Sequence, residues 1–377
     1  MEEADIQAHC EIQASWWQAE VALKKYNCTS DAIVGALNSL YGKLGKEASC
    51  YELGGLYGDA SLIGLRTGMA LMDDGVDYSE VEPLHSIRVF SSSKQAEHWH
   101  YITLGFSDLY FAGSGPGNCD FELTMRVEKG KDVTPPYWPI HRLQQLARYV
   151  VETGNTFLEN EHIDFNGSIL QQPGVSIEAI ICVVDPELGV IHSDCGDVKM
   201  FQLVGLTREE LGSLSKWQAA PFIQLLARKN PLMLTNLHRA SILEDPEINN
   251  IVKAGIINDN SSTNAFYTDY LRPARSNNGI ELKLKAMNAE KILVAMEKRL
   301  PFGMQFRLYG QGDFKVDFMP ANQSNVRYVE DKSLLIELSQ ETVREIRTTL
   351  RPMQGKYSFA TLPGLNLQLV SNDIDVN

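Results

Sequence analysis

Period-two alternation is clearest in the stretch from Glu97 to Tyr110. Ile102, Leu104 and Phe106 fall on one face of an extended chain, and Tyr101, Thr103, Gly105 and Ser107 on the other. The glycines of Gly113-Ser114-Gly115-Pro116-Gly117 then predict a turn. Beyond them Phe121, Leu123, Met125 and Val127 alternate with Glu122, Thr124 and Arg126. Two half-buried strands around a Gly/Pro-rich connection predict a hairpin at the centre of a sheet.

Three- and four-residue spacing elsewhere predicts helices. Ile12, Trp16, Ala19 and Leu23 mark one over 7–26, and Ile33, Val34, Leu37 and Leu40 another over 30–43, capped by Ser30 or Asp31. Ile140, Leu143, Leu146, Ala147 and Val150 form the apolar stripe of a helix over 139–153, with Pro139 in its first turn and Gly154 at its end. Residues 177–184 are almost continuously apolar, the pattern of a strand covered on both faces. A strand at 199–206 runs into Thr207-Arg208-Glu209-Glu210, a capping box, and a helix is expected over 215–228. Past residue 280 come a strand at 280–286, a helix at 288–297, a hairpin of 302–308 with 314–318, a strand at 334–338, a helix at 340–350 capped by Ser339, and a strand at 365–370. The glycine-rich stretch Gly54–Gly75 shows no period, and no repeat recurs along the chain.

A chain of 377 residues exceeds one ordinary core, so two domains are expected. The polar, small-residue segment 258–279 is the expected linker. Apolar content of 44% and charged content of 22% are ordinary, but the net charge of −14 is not. It argues against a nucleic-acid or anionic-membrane surface and suits basic partners or plain solubility. The start, Met1-Glu2-Glu3-Ala4-Asp5, is acidic where a secretory signal is basic, and no apolar run reaches the ~18 residues of a membrane span. Cys10, Cys28, Cys50, Cys119, Cys182 and Cys195 are scattered without a C-x-x-C pair, as reduced thiols are. A cytoplasmic location is the expectation.

Candidate chemistry is sparse. His98 and His100 share a strand face, which an H-x-H metal pair needs, yet Ile102 and Leu104 share it too and no third ligand stands at a recognisable spacing. His192-Ser193-Asp194-Cys195 gathers a thiol, an imidazole and a carboxylate. Catalytic Cys/His pairs, however, are made by the fold and not by adjacency, and a polar turn accounts for the run equally well. Gly113-x-Gly115-x-Gly117 precedes a strand, whereas a phosphate-cradling loop opens a helix. Trp16-Trp17 and Tyr137-Trp138 are either core aromatics or interface anchors. The pattern favours a binding protein with no cofactor over an enzyme or metalloprotein using His98/His100 or His192/Cys195.

His98-Trp99-His100-Tyr101 followed by Gly105-Phe106-Ser107-Asp108-Leu109-Tyr110 resembles the signature of the suppressor of fused family. Pro135-Pro136-Tyr137-Trp138-Pro139 through Leu146-Ala147-Arg148-Tyr149-Val150, then Asn155-Thr156-Phe157 and His162, resemble its P-P-x-W-P…L-A-R-Y-V…N-T-F…H segment. Phe201-Gln202-Leu203-Val204-Gly205-Leu206 with Glu209-Glu210-Leu211, Leu234-Thr235-Asn236-Leu237-x-Arg239 and Asp245-Pro246 continue it in order, and Phe306-Arg307-Leu308-x-Gly310 adds a fainter likeness.

The resemblance implies a mixed α/β protein of two domains, each a mixed β-sheet flanked by helices. An N-terminal helical addition would span 1–70, a first domain 71–257, the linker 258–279 and a second domain 280–377. It also implies a non-catalytic protein-binding function, in which the family grips an extended peptide between its domains by strand addition, as animal members do with Gli transcription factors. Of the peptide-gripping residues, the tyrosine matches Tyr149, and the aspartate falls at Glu161, which keeps the carboxylate but changes its reach. The long acidic insertion of animal members is absent, so a bacterial relative is expected. Bacterial relatives are proposed to be immunity proteins that neutralise toxins, and a charge of −14 suits a basic one.

Overall fold

The structure is a computed structural model that describes residues 28–42, 47–53, 83–108, 120–131, 133–153, 156–194, 196–268, 270–276, 279–310 and 314–373. The expected helix over 7–26, the Gly54–Gly75 stretch, the glycine turn at 113–117, Gly154 and Cys195 lie outside them. Two compact units emerge, one from residues 1–208 with 226–241, the other from 209–225 with 242–377.

The first unit is built on one mixed eight-stranded sheet. Its path runs β1 (Glu47–Glu52), β2 (Ser86–Ser92), β3 (His98–Leu104), β4 (Phe121–Glu128), β8 (Gly196–Thr207), β6 (Ile177–Val184) and β5 (His162–Asp164), with β7 (Val190–Ser193) paired to β8. The expected hairpin is present: β3 and β4 pair antiparallel, Tyr101 opposite Met125. β4 then pairs in parallel with β8, Phe121 opposite Lys199.

These central strands are not half-buried. All of β3, and β4 up to Val127, are buried on both faces. The cause is a helix on each side. α2 (Trp138–Thr153) presses Ile140, Leu143, Leu146, Ala147 and Val150 onto Trp99, Tyr101, Leu123 and Met125. The helix over 28–41, α1, puts Ile33 and Leu37 against Phe90, Ile102, Leu104 and Met200 on the opposite face. The polar residues of β4, read from the alternation as solvent-facing, therefore lie in the interior under α1. The N-terminal stretch 1–70, expected to be helical, holds the strand β1 as well as α1, and β1 joins the sheet through β2.

The second unit holds two sheets around one core. Strands β10 (Leu271–Ser276), β11 (Gly279–Lys285), β17 (Leu365–Val370) and β16 (Gly355–Ser358) form the first. Strands β14 (Asn325–Glu330), β15 (Ser333–Leu338), β13 (Lys315–Pro320), β12 (Phe306–Tyr309) and β9 (Ala265–Tyr267) form the second. Parallel pairs within each, β11 with β17 and β13 with β15, make both sheets mixed. Ala289, Ile292 and Met296 of α6 (Met287–Lys298) and Ile346 of α7 (Gln340–Thr349) join Leu282, Leu367 and Phe318 in that core. Ser339 caps α7 as expected, its Oγ accepting from Thr342 N at 3.3 Å.

Two expected elements start late. The helix expected over 215–228 is α4 (Ala219–Lys229), after the short α3 (Arg208–Leu214). Trp217 leaves the helical path to bond Asp259 Oδ2 through Nε1 at 2.8 Å, with its ring over Gly255 of α5 (Pro246–Asn258). The strand expected from Phe302 starts at Phe306. Leu300–Phe302 forms a 3₁₀ turn, with Pro301 fixing its φ and Gly303 closing it at φ +75°.

Candidate functional site

Tyr149 and Glu161, the two residues implied as partner-binding, both stand in the first unit. Tyr149 lies in the last turns of α2, half-buried against the core under that helix. Glu161 immediately precedes β5. It is exposed, its Oε2 accepts from Leu158 N at 3.1 Å, and its own carbonyl accepts from Cys182 N at 2.8 Å. That bond starts the β5–β6 ladder, in which His162, Ile163 and Asp164 stand opposite Ile181, Ile180 and Ala179. Hydrogen-bonded pairs alternate along an antiparallel ladder. Glu161 and Phe165 bond to β6 through their main chains, on either side of these pairs. β5 ends the sheet's path, and strand edges are where extended peptides add.

Carboxylates dominate the surroundings of this edge. Glu159 and Glu161 are exposed. Asp164 and Glu178 both pair with Arg208, at 3.0 Å and 2.7 Å. Of the expected aromatic anchors, Trp138 packs against the core, whereas Tyr137 is 58% exposed and meets Tyr51 edge-on at 6.0 Å.

His98 and His100 do share a face, beneath α1. His98 Nδ1 lies 2.8 Å from the Ala96 carbonyl oxygen, and its buried Nε2 has no hydrogen-bond partner among the described residues. His100 is fully buried between Tyr41 and Asp185: Tyr41 Oη is 2.6 Å from Nδ1, and Asp185 Oδ2 is 3.2 Å from Nε2. Burial, reinforced by the Arg126 charge, lowers the His100 pKa to about 4. The ring is thus neutral at pH 7, with the Tyr41 hydroxyl donating to Nδ1 and the ring proton on Nε2 toward Asp185.

Asp185 anchors a network that the sequence pattern did not reveal. Arg126 reaches it with Nη1 at 2.7 Å and Nη2 at 3.0 Å, and Thr124 Oγ1 donates at 2.7 Å. The Glu187 and Leu188 amides donate to its Oδ1 at 2.9 and 2.8 Å. Burial pushes the Asp185 carboxyl up, but the Arg126 guanidinium and the bonds it receives hold it below the usual carboxylate range. Arg126 also donates to Gln202 Oε1 and to Glu187 Oε2, and Lys94 Nζ bonds the other oxygen of Glu187 at 2.8 Å. Beside Glu187 opens a cavity of about 210 Å³, lined by Leu40, Tyr41, Ser92, Ser93, Lys94 and Glu187.

A second buried carboxylate explains the G-F-S part of the recognised stretch. Glu122 accepts from Thr103 Oγ1 at 2.6 Å, from the Gly105 and Ser107 amides at 3.0 Å each, and from Ser107 Oγ at 2.7 Å. Burial raises its pKa to about 7 against the pull of these donors. Gly105 has φ +142°, and a Cβ there would stand 2.9 Å from Leu84 Cα.

His192 Nδ1 lies 2.7 Å from Asp197 Oδ1, with both side chains exposed on the β7–β8 hairpin. Among the described residues no three His, Cys, Asp or Glu side chains gather as a metal would require, and no helix is long and apolar enough to cross a membrane.

Residues 80–240 match the model of the suppressor of fused protein family. The human and mouse suppressor of fused homologs are each 34% identical over 186 residues, 45% of this chain. The chain spans only 38% of the length of those relatives in this match. The crystal structure of Drosophila suppressor of fused superposes over 78% of this chain and 90% of its own, at a TM-score of 0.57 and 19% identity. The resemblance read from the motifs is matched by the family model over residues 80–240, and the mixed α/β fold is shared with the Drosophila protein.

Proposed function

We propose that this chain, a suppressor of fused relative over residues 80–240, works by holding another protein chain and makes or breaks no covalent bond. The carrying observation is β5. It closes one end of the large sheet, Glu161 immediately precedes it, and the Tyr149 helix packs on the same core. An extended segment would add to this edge through main-chain hydrogen bonds, with Tyr149 and Glu161 reading its side chains. Glu159 and Glu161 favour Lys or Arg in that segment.

The finer reading is a bacterial immunity protein that sequesters a basic toxin. The net charge of −14 supports it through electrostatic attraction to a basic partner. Screening the full chain against a library of extended peptides tests the general reading. Basic binders are expected, and Tyr149→Ala and Glu161→Ala should each weaken them about tenfold. Glu161→Ala should leave thermal unfolding in place, and Tyr149→Ala should show the small loss of stability its core packing implies. Binders indifferent to both substitutions would remove β5 as the site. Co-expression with the product of a neighbouring toxin gene tests the finer reading, and undiminished toxicity would refute it.

A further inference from the structure

We propose that α1 is a strap that opens and recloses as a unit, independently of the sheet it covers, with Tyr41 as its catch. Only Thr29, Ile33 and Leu37 of this helix are fully buried, and Ala32, Ala36, Leu40 and Tyr41 are partly so. Its apolar contacts belong to a core cluster separate from the larger one under α2. Its C-terminal end does not close over the sheet, because the cavity of about 210 Å³ lies between Tyr41, Leu40 and the Ser92–Lys94 turn. Tyr41 is fixed there by its ring, stacked on Phe90 at 4.5 Å, and by its bond to His100.

The surface under the strap is unusual for a core. Beside Phe90 and Ile102 it carries His98, His100, Arg126, Asp185 and Gln202, all buried. Among the described residues Arg126 Nε and His98 Nε2 have no hydrogen-bond partner. His98 Nδ1 faces a carbonyl oxygen, so its Nε2 presents a lone pair, while Arg126 Nε presents a proton. Water entering under a raised α1 would satisfy both atoms. Uncovering this surface therefore costs less than uncovering an apolar one of equal area. Local opening of this kind precedes global unfolding wherever few apolar contacts hold an element. The raised state would present an apolar row next to a fixed ion pair, a surface separate from β5.

Hydrogen exchange on the full chain tests this. Amides of residues 28–42 should exchange faster than those of β3 and β4. Tyr41→Phe should speed the α1 amides about five- to tenfold and leave β3 and β4 unchanged. Ile33→Val provides the same comparison should Tyr41→Phe fail to fold. A common exchange rate for α1, β3 and β4, or variants that speed the strands as much as the helix, would overturn the proposal.

Discussion

Asp185 Oδ2 sits 2.7 Å from Arg126 Nη1, and neither side chain is exposed to solvent. Removing one member of such a pair leaves an uncompensated interior charge, whereas replacing both with apolar groups of similar size leaves none. Asp185→Ala should therefore destabilise the first unit by about 3–5 kcal/mol, and Arg126→Met with Asp185→Leu should restore much of that loss. Urea unfolding of the three proteins checks the order, which a double variant weaker than the single would contradict.

Glu122 gives the stability a pH dependence. Its folded pKa of about 7 lies above the 4.5 of the free group, so between those values the native state holds more protons than the unfolded chain. Its contribution is fully present below pH 4.5 and is lost as pH rises through 7. The stability of wild type relative to Glu122→Gln should thus decline from about pH 4.5 to 7. His100 acts oppositely: its folded pKa is lowered from 6.5 to about 4, so its contribution is lost as pH falls through that window. Denaturant midpoints across pH for Glu122→Gln and His100→Asn separate the two slopes.

Gly255 faces the Trp217 ring so closely that an added Cβ would lie 2.1 Å from its Cε2. Gly255→Ala should push the indole away and break its bond to Asp259. A loss of about 1–3 kcal/mol is expected, with a shift in tryptophan emission. Unchanged emission would mean that α5 moves instead.

If the proposed β5 site is the one used, binding should weaken as salt rises, because exposed carboxylates there would attract a basic partner across solvent. Raising ionic strength from about 0.05 to 0.5 M should slow association more than it speeds dissociation. A rate of association indifferent to salt would leave Glu159 and Glu161 without an electrostatic part in recognition.

The local pattern conveyed much of the fold. The strands at 177–184 and 365–370 and the helix at 138–153 stand where spacing placed them, since each pairs an uninterrupted apolar pattern with Gly or Pro punctuation. Strands β1, β2, β5, β7, β9, β10, β14 and β16 were not anticipated. Of these, β1, β5, β9, β14 and β16 are short or lie at sheet edges, so few of their positions are buried and the alternation fades. The Arg126–Asp185 pair was illegible for another reason: its partners come from segments about sixty residues apart, joined only by tertiary structure. The recognised stretch proves mainly architectural. His98, His100, Gly105 and Ser107 serve the interior, while Tyr149 and Glu161 were reached through the resemblance alone.

The parallel pairing of β4 with β8 also constrains how the molecule is born. Phe121 finds Lys199 only after α2 and strands β5 to β7 have left the ribosome, so the centre of the sheet stays incomplete through much of synthesis. Until then β4 offers a bare margin to any passing chain. A nascent protein of this topology should lean on chaperones during that interval, and refold slowly when diluted from denaturant.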